Sequence, residues 1–163
     1  MNWMRKSLLC CAMLACLIAA AGAQQTPPAN PAPSIGDEVI QQVLEPLRTG
    51  LTTQNIQLIL SVFDKKELDS YSDLERQLAA FFQQFDKVNF RYQLLQVTSD
   101  NDHGSAIVEM EMDALPYDVT RVATRRSVQM RLRLKLGPKG WKIAGFTPGD
   151  FFNVEYKAAT SDQ

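Results

Sequence analysis

Arg126 is the residue whose type disagrees most with its neighbours. Val122, Val128, Met130, Leu132, Leu134 and Leu136 occupy even positions in one run, the two-fold alternation of a β-strand with one apolar face. Thr124 and Arg126 share that parity. A guanidinium on such a face must find a partner or open onto water. Two accounts stand side by side. In the structural one, Arg126 lies near a strand bend or the sheet rim, or pairs with Asp64 or Asp69. In the functional one it faces the mouth of a pocket and anchors an anionic group, with Tyr92 as a polar-tipped wall and Thr124 beside it. Arg126, Tyr92 and Thr124 are therefore the candidate ligand-binding residues.

Other chemistry is thinner. His103 is the only histidine, and its setting, Asp100-Asn101-Asp102-His103-Gly104, is a turn by composition. It has no second histidine for a metal pair and no nucleophile to activate. Glu109, Glu111 and Asp113 share one strand face and could ligate a cation through oxygen. A hairpin centred near Tyr117 sets Arg121 and Arg125 across from them, with Arg125 facing Glu109, and cross-strand pairing is then the simpler account. The sequence holds no glycine-rich phosphate loop, no G-x-S-x-G and no H-E-x-x-H. No catalytic residue, cofactor or metal site is assigned.

Lys and Arg total 17 against 18 for Asp and Glu, so electrostatics make no case for nucleic acid or an anionic membrane. With 45% apolar and 21% charged positions, the chain is neither a disordered acidic polymer nor a polytopic membrane protein. Residues 1–23 have the form of a secretory signal: basic Arg5 and Lys6, an apolar stretch from Leu8 to Ala20, and the small residues Ala21-Gly22-Ala23 before Gln24. Cys10, Cys11 and Cys16, all the cysteines, lie within it. A mature chain would have no thiol, hence no disulfide or zinc–thiolate site, and would rest on its core alone. Residues 24–36, with Pro27, Pro28, Pro31 and Pro33, form an extended linker. Residues 37–152 form one domain and 153–163 a polar tail. The expected location is periplasmic or secreted, with no membrane contact after cleavage.

Within the domain the periodicity changes from helical to two-fold. Ile40, Val43, Leu44 and Leu47 make the face of a helix over 37–49 that Ser34 can cap, Pro46 can kink or stop, and Gly50 can end. Thr53 is placed to cap a second helix carrying Ile56, Ile59, Leu60 and Phe63. Ser72 and Glu75 stand in capping-box register for a third, whose stripe of Leu74, Leu78, Phe81, Phe82 and Phe85 has the form of core. Strand alternation follows, with Val88, Phe90, Tyr92 and Leu94 on one side, then Ala106, Val108, Met110 and Met112, then the run containing Arg126. Gly137-Pro138-Lys139-Gly140 turns into a last strand at Trp141 and Ile143. Short turns imply antiparallel hairpins. The fold class is α+β, three helices packed into a curved antiparallel sheet of about four strands.

Two segments, Asn55 to Asp64 with its Phe-Asp ending and the hairpin Gly140-Trp141-Lys142-Ile143-Ala144-Gly145-Phe146, resemble the nuclear transport factor 2-like superfamily over roughly Asp37 to Phe152. That resemblance implies a cone with a pocket between sheet and helices, often used for small apolar ligands, and frequent dimerisation through the outer sheet face. The superfamily includes isomerases, dehydratases and cyclases beside non-catalytic domains. This chain shows no recognisable catalytic dyad where enzymatic members carry one. The leading expectation is a non-catalytic domain binding a small hydrophobic or anionic molecule, or a partner protein, through the cone or the sheet. An acid–base enzyme acting on a small hydrophobic substrate, and a purely structural homodimer, are the rivals.

Overall fold

The computed structural model describes residues 34–153. The signal, most of the linker and nearly all of the polar tail lie outside the described residues. The first helical run is one bent rod: α1 (Ile35–Val39), a π-helical turn (Ile40–Leu44) and α2 (Glu45–Thr52). Ser34 caps it as expected, its hydroxyl accepting from the Asp37 N–H while the Asp37 carboxylate accepts from the Ser34 N–H. Pro46 does not stop the run. It has no N–H to donate, and the ladder slips by one residue just before it, so that the Glu45 N–H donates to the Ile40 carbonyl five residues back. The wider turn also moves the apolar stripe. Val39 is fully buried while Ile40 is only half-buried, because a π turn takes an extra residue.

Gly50 does not end the helix, which runs on to Thr52. Its role is close approach: a Cβ there would lie 2.6 Å from Ile59 Cγ1 and 3.0 Å from the Ile59 nitrogen. The chain reverses through Gln54 at φ 55° and enters α3 (Ile56–Ser61). Asn55, not Thr53, caps that helix, its side chain accepting from the Leu58 N–H at 3.0 Å. Thr53 donates back to the Thr49 carbonyl instead, at 2.7 Å. The last helix, α4 (Tyr71–Phe82), starts one residue ahead of Ser72, which lies inside the first turn, and its N-cap Ser70 makes no side-chain cap bond. The capping-box expectation fails there, yet the stripe holds: Leu74, Leu78, Phe81, Phe82 and Phe85 are all buried. The Phe81 ring lies 5.4 Å from Phe82 and 4.8 Å from Phe85.

Four strands follow, β1 (Phe85–Asp100), β2 (His103–Pro116), β3 (Thr124–Gly137) and β4 (Gly140–Thr147), paired antiparallel in chain order. The α+β architecture of three helices on a curved antiparallel sheet is as the sequence implies. Val122 is the exception. It was expected on the apolar face of the long strand, but it is 83% exposed, in the loop ahead of β3. Asp118 explains this by accepting from the Thr120 N–H and hydroxyl, an Asx-type turn that holds the chain outside the ladder. The outer edge of β4 is closed by the segment after α3, with the Ile143 N–H donating to the Val62 carbonyl and the Asp64 N–H to the Ile143 carbonyl, both at 2.8 Å. Trp141 ties the first helical run to the last hairpin. Its backbone N–H donates to Gln42 Oε1 at 2.8 Å and its indole N–H to Glu38 Oε2 at 3.0 Å.

Gly50→Ala separates the two roles considered for that glycine. If Gly50 were only a helix end, alanine would stabilise by up to about 1 kcal/mol through propensity. The contact with Ile59 predicts the opposite sign, a loss of about 1–3 kcal/mol in urea unfolding, the ordinary cost of overpacking.

Candidate functional site at the mouth of the cone

Strand parity places Arg126 as expected on the helix side of the sheet, opposite the buried Met112. Its partner is neither Asp64 nor Asp69. The guanidinium donates from Nη1 to the carbonyls of Asp150 (3.1 Å) and Phe151 (2.7 Å), and from Nη2 to that of Asn153 (2.5 Å). The candidate anchor is thus engaged with the backbone of a short strap, residues 148–153, that follows β4. The Asp64 carboxylate accepts from the Lys66 and Glu67 N–H groups of its own turn.

The strap carries the residues that sequence reasoning passed over. At the level of sequence Phe152 serves only as a domain boundary, although two adjacent aromatics before a polar tail are a signal in themselves. Both are buried, the two rings packed edge to face at 5.0 Å, with Phe151 also 6.2 Å from Phe90. They close the cone over Leu47 of α2, Phe63, and Met110, Met130, Leu132 and Phe146 of the sheet, leaving about 10 Å³ free among them. That is room for one water at most. Among the described residues, no polar or charged residue is buried.

Tyr92 and Thr124 stand apart. Tyr92 sits on β1 opposite Met110, in the cross-strand row next to that of Phe90, Met112 and Arg126. Two strand spacings and one same-face step along the strand, together roughly 12 Å, separate it from Arg126. Its hydroxyl donates to Glu45 Oε1 (2.5 Å), while Glu45 Oε2 accepts from Arg48 Nε (3.0 Å) and Nη2 (2.6 Å). The Arg48 hydrogen bond, with that from Tyr92 next, holds the Glu45 carboxyl below its usual range. Burial first, and the Glu45 hydrogen bond second, push the Tyr92 phenol up to about 12. Near neutral pH the pair is therefore a carboxylate beside a phenol, and neither group is poised to exchange a proton. Thr124 opens β3 opposite Ala114, half-buried, on the same face as Arg126.

On the outer face Glu111 and Asp113 pair with arginines, but the expected register fails and Glu109 has no arginine opposite it. Arg125 lies opposite Asp113 and bonds it at 2.9 Å, while Gln129 faces Glu109. The hairpin is centred on Val119 rather than Tyr117, because the Asp118 turn lengthens the loop. Arg91 of β1 bridges Glu111 (2.9 Å) and Asp113 (3.2 Å). Arg121 pairs with Asp118 inside the loop at 3.3 Å. Exposed His103 opens β2 at 3.6 Å from Asp102. Among the described residues, no group of three or more His, Cys, Asp or Glu could hold a metal ion.

Several solved structures superpose on this fold. A conserved protein from Planctomyces limnophilus superposes with TM-score 0.60 at 8% identity, covering 66% of this chain and 90% of that one. A ketosteroid isomerase-like protein from Erwinia carotovora atroseptica gives 0.52 at 16%, covering 66% and 90%. A type 2 hexachlorocyclohexane dehydrochlorinase gives 0.54 at 9%, covering 66% and 80%. The chain has the nuclear transport factor 2-like fold. No family model and no curated protein matches it. At these identities the likeness is one of fold. In this chain the cone is closed by its own Phe151 and Phe152.

The Tyr92 phenol gives a pH test. Its folded-state pKa lies near 12 against the ordinary 10. Between those values the unfolded chain has lost the phenolic proton and the folded chain keeps it, so stability present below about pH 10 is lost as pH rises towards 12. The stability difference between wild type and Tyr92→Phe, measured by urea unfolding, should be constant below pH 9 and shrink across that window. A constant difference would show that the Tyr92–Glu45 bond does not form.

Proposed function

We propose that this chain is an exported, non-catalytic binding domain that takes a small, uncharged hydrophobic molecule in its cone. The observation that carries the reading is the composition of the inner wall. Leu47, Phe63, Met110, Met130, Leu132 and Phe146 line it, and such a wall offers apolar contact and no group able to take or give a proton. Arg126, spent on three carbonyls, argues for a neutral ligand over an anionic one. The export component rests on the form of residues 1–23, and no helix among the described residues is long and apolar enough to cross a membrane.

An acid–base enzyme is the second reading, favoured by the dehydrochlorinase and the ketosteroid isomerase-like protein of the same fold. Its chemistry would fall to Glu45 and Tyr92, the carboxylate–phenol pair beside the interior. Native and intact mass spectrometry of the protein, expressed from its full gene and purified without denaturant, tests both component claims. The expected species begins at or near Gln24 and carries a neutral apolar molecule. A chain retaining Met1 to Ala23, or one lipidated at Cys16 in the membrane fraction, would overturn release as a soluble mature domain. A bound polar substrate whose conversion is lost in Glu45→Gln would overturn the non-catalytic reading. The same spectrum reads the subunit count, and so tests a homodimer through the outer sheet face.

A further inference from the structure

We propose that Phe151 and Phe152 are a built-in occupant of the ligand site, and that the Arg126 guanidinium is the latch that holds them there. A flat, uncharged aromatic molecule would bind by displacing their rings. The inference rests on the small-molecule reading above and deepens it.

Three observations converge on the strap. First, its two rings fill the space that a cone ligand would need, against walls with no polar side chain. Second, the strap is not packed flush with the domain. On its β3 side, beside Arg125, Ser127, Val128 and Pro148, runs an open groove of about 340 Å³; on its α4 side, beside Arg76, Gln77 and Gln84, runs another of about 220 Å³. The strap thus lies between two solvent clefts into which it can move without breaching the sheet. Third, what fixes it is localised. Its own turn is closed by the Asn153 N–H on the Asp150 carbonyl at 2.9 Å, and Arg126 gathers the carbonyls of Asp150, Phe151 and Asn153. Hydrogen bonds from a charged donor are strong, yet they are exchanged readily for water at a half-exposed site.

The chemistry of the wall sets the ligand class. Phe90 already meets the Phe151 ring edge to face, and within the wall Phe63 meets Phe146 in the same way. Met110 and Met130, unbranched and polarisable, can reshape around a ring of different outline. An ammonium would be left without a partner there. While the latch is closed, only the fraction of molecules with the strap released can bind, which lowers the apparent affinity by that fraction.

p-Xylene, flat and uncharged, is a suitable probe, titrated into the full chain by calorimetry. The expected result is weak binding to wild type and about tenfold tighter binding to Arg126→Met, which keeps much of the side chain's length and removes the donors. In Phe152→Trp, the new indole should emit as a buried group and shift to the red as p-xylene is added. If p-xylene binds wild type and Arg126→Met equally, or the indole stays buried while it binds, the latch is overturned and the small-molecule reading survives. Should Arg126→Met fail to fold, Phe152→Ala keeps the latch and opens space for one ring, and it should bind p-xylene at least about tenfold more tightly than wild type. Absence of binding to wild type and to both variants would overturn the latch and the small-molecule reading together.

Discussion

A four-stranded sheet with one mostly apolar face must have that face covered, and everything else in this domain follows from how it is covered. The helices do only part of it. The first helical run approaches β1 and, through its π turn, β4, and α4 approaches the start of β1. The inner faces of β2 and β3, where Met110, Met112, Met130 and Leu132 project, are left to side chains reaching down from α2 and from the segment after α3. Phe151 and Phe152 complete the cover. Residues 34–153 contain no cysteine, so no disulfide within them substitutes for that closure.

Charge is distributed accordingly. The outer-face network of Arg91, Glu111, Asp113 and Arg125 is exposed, and pairs of that kind contribute only about 0.2–1 kcal/mol each. Such a network keeps the sheet face soluble and sets register by opposing unlike charges, while stability comes from the apolar side. Arg126 is the point where the two regimes meet. Inward parity forces a cation towards the core, and the structure satisfies it at the mouth by offering carbonyls in place of a carboxylate. A carbonyl partner avoids placing a second charge in the low-dielectric margin of the core, where desolvation offsets much of an ion pair's attraction.

Periodicity made the fold legible, because burial on one face imposes it directly. Three helical stripes, four alternating strands and the inward parity of Arg126 could all be read from residue types. What could not be read was decided by geometry that residue types do not encode. Thr53 and Asn55 are both good caps two residues apart, and the left-handed Gln54 between them gives Asn55 the cap. Gly50 has the look of a stop signal, but the approach of Ile59 is a contact between helices and leaves no local mark. The Arg125 register failed because the loop folds around Asp118. The partner of Arg126 was invisible for a related reason: backbone carbonyls exist at every position, so nothing in the sequence marks those of Asp150, Phe151 and Asn153 as acceptors.

The central claim is that the cone is apolar and filled by its own C-terminal rings when no ligand is bound. Nuclear Overhauser spectra of ligand-free protein with labelled methionine methyls test this most directly. The Met110 and Met130 methyls line the same small cavity as Phe151 and Phe152, so each should show cross-peaks to those aromatic rings. Methyls that instead exchange magnetisation with water and show no contact with either ring would contradict the account.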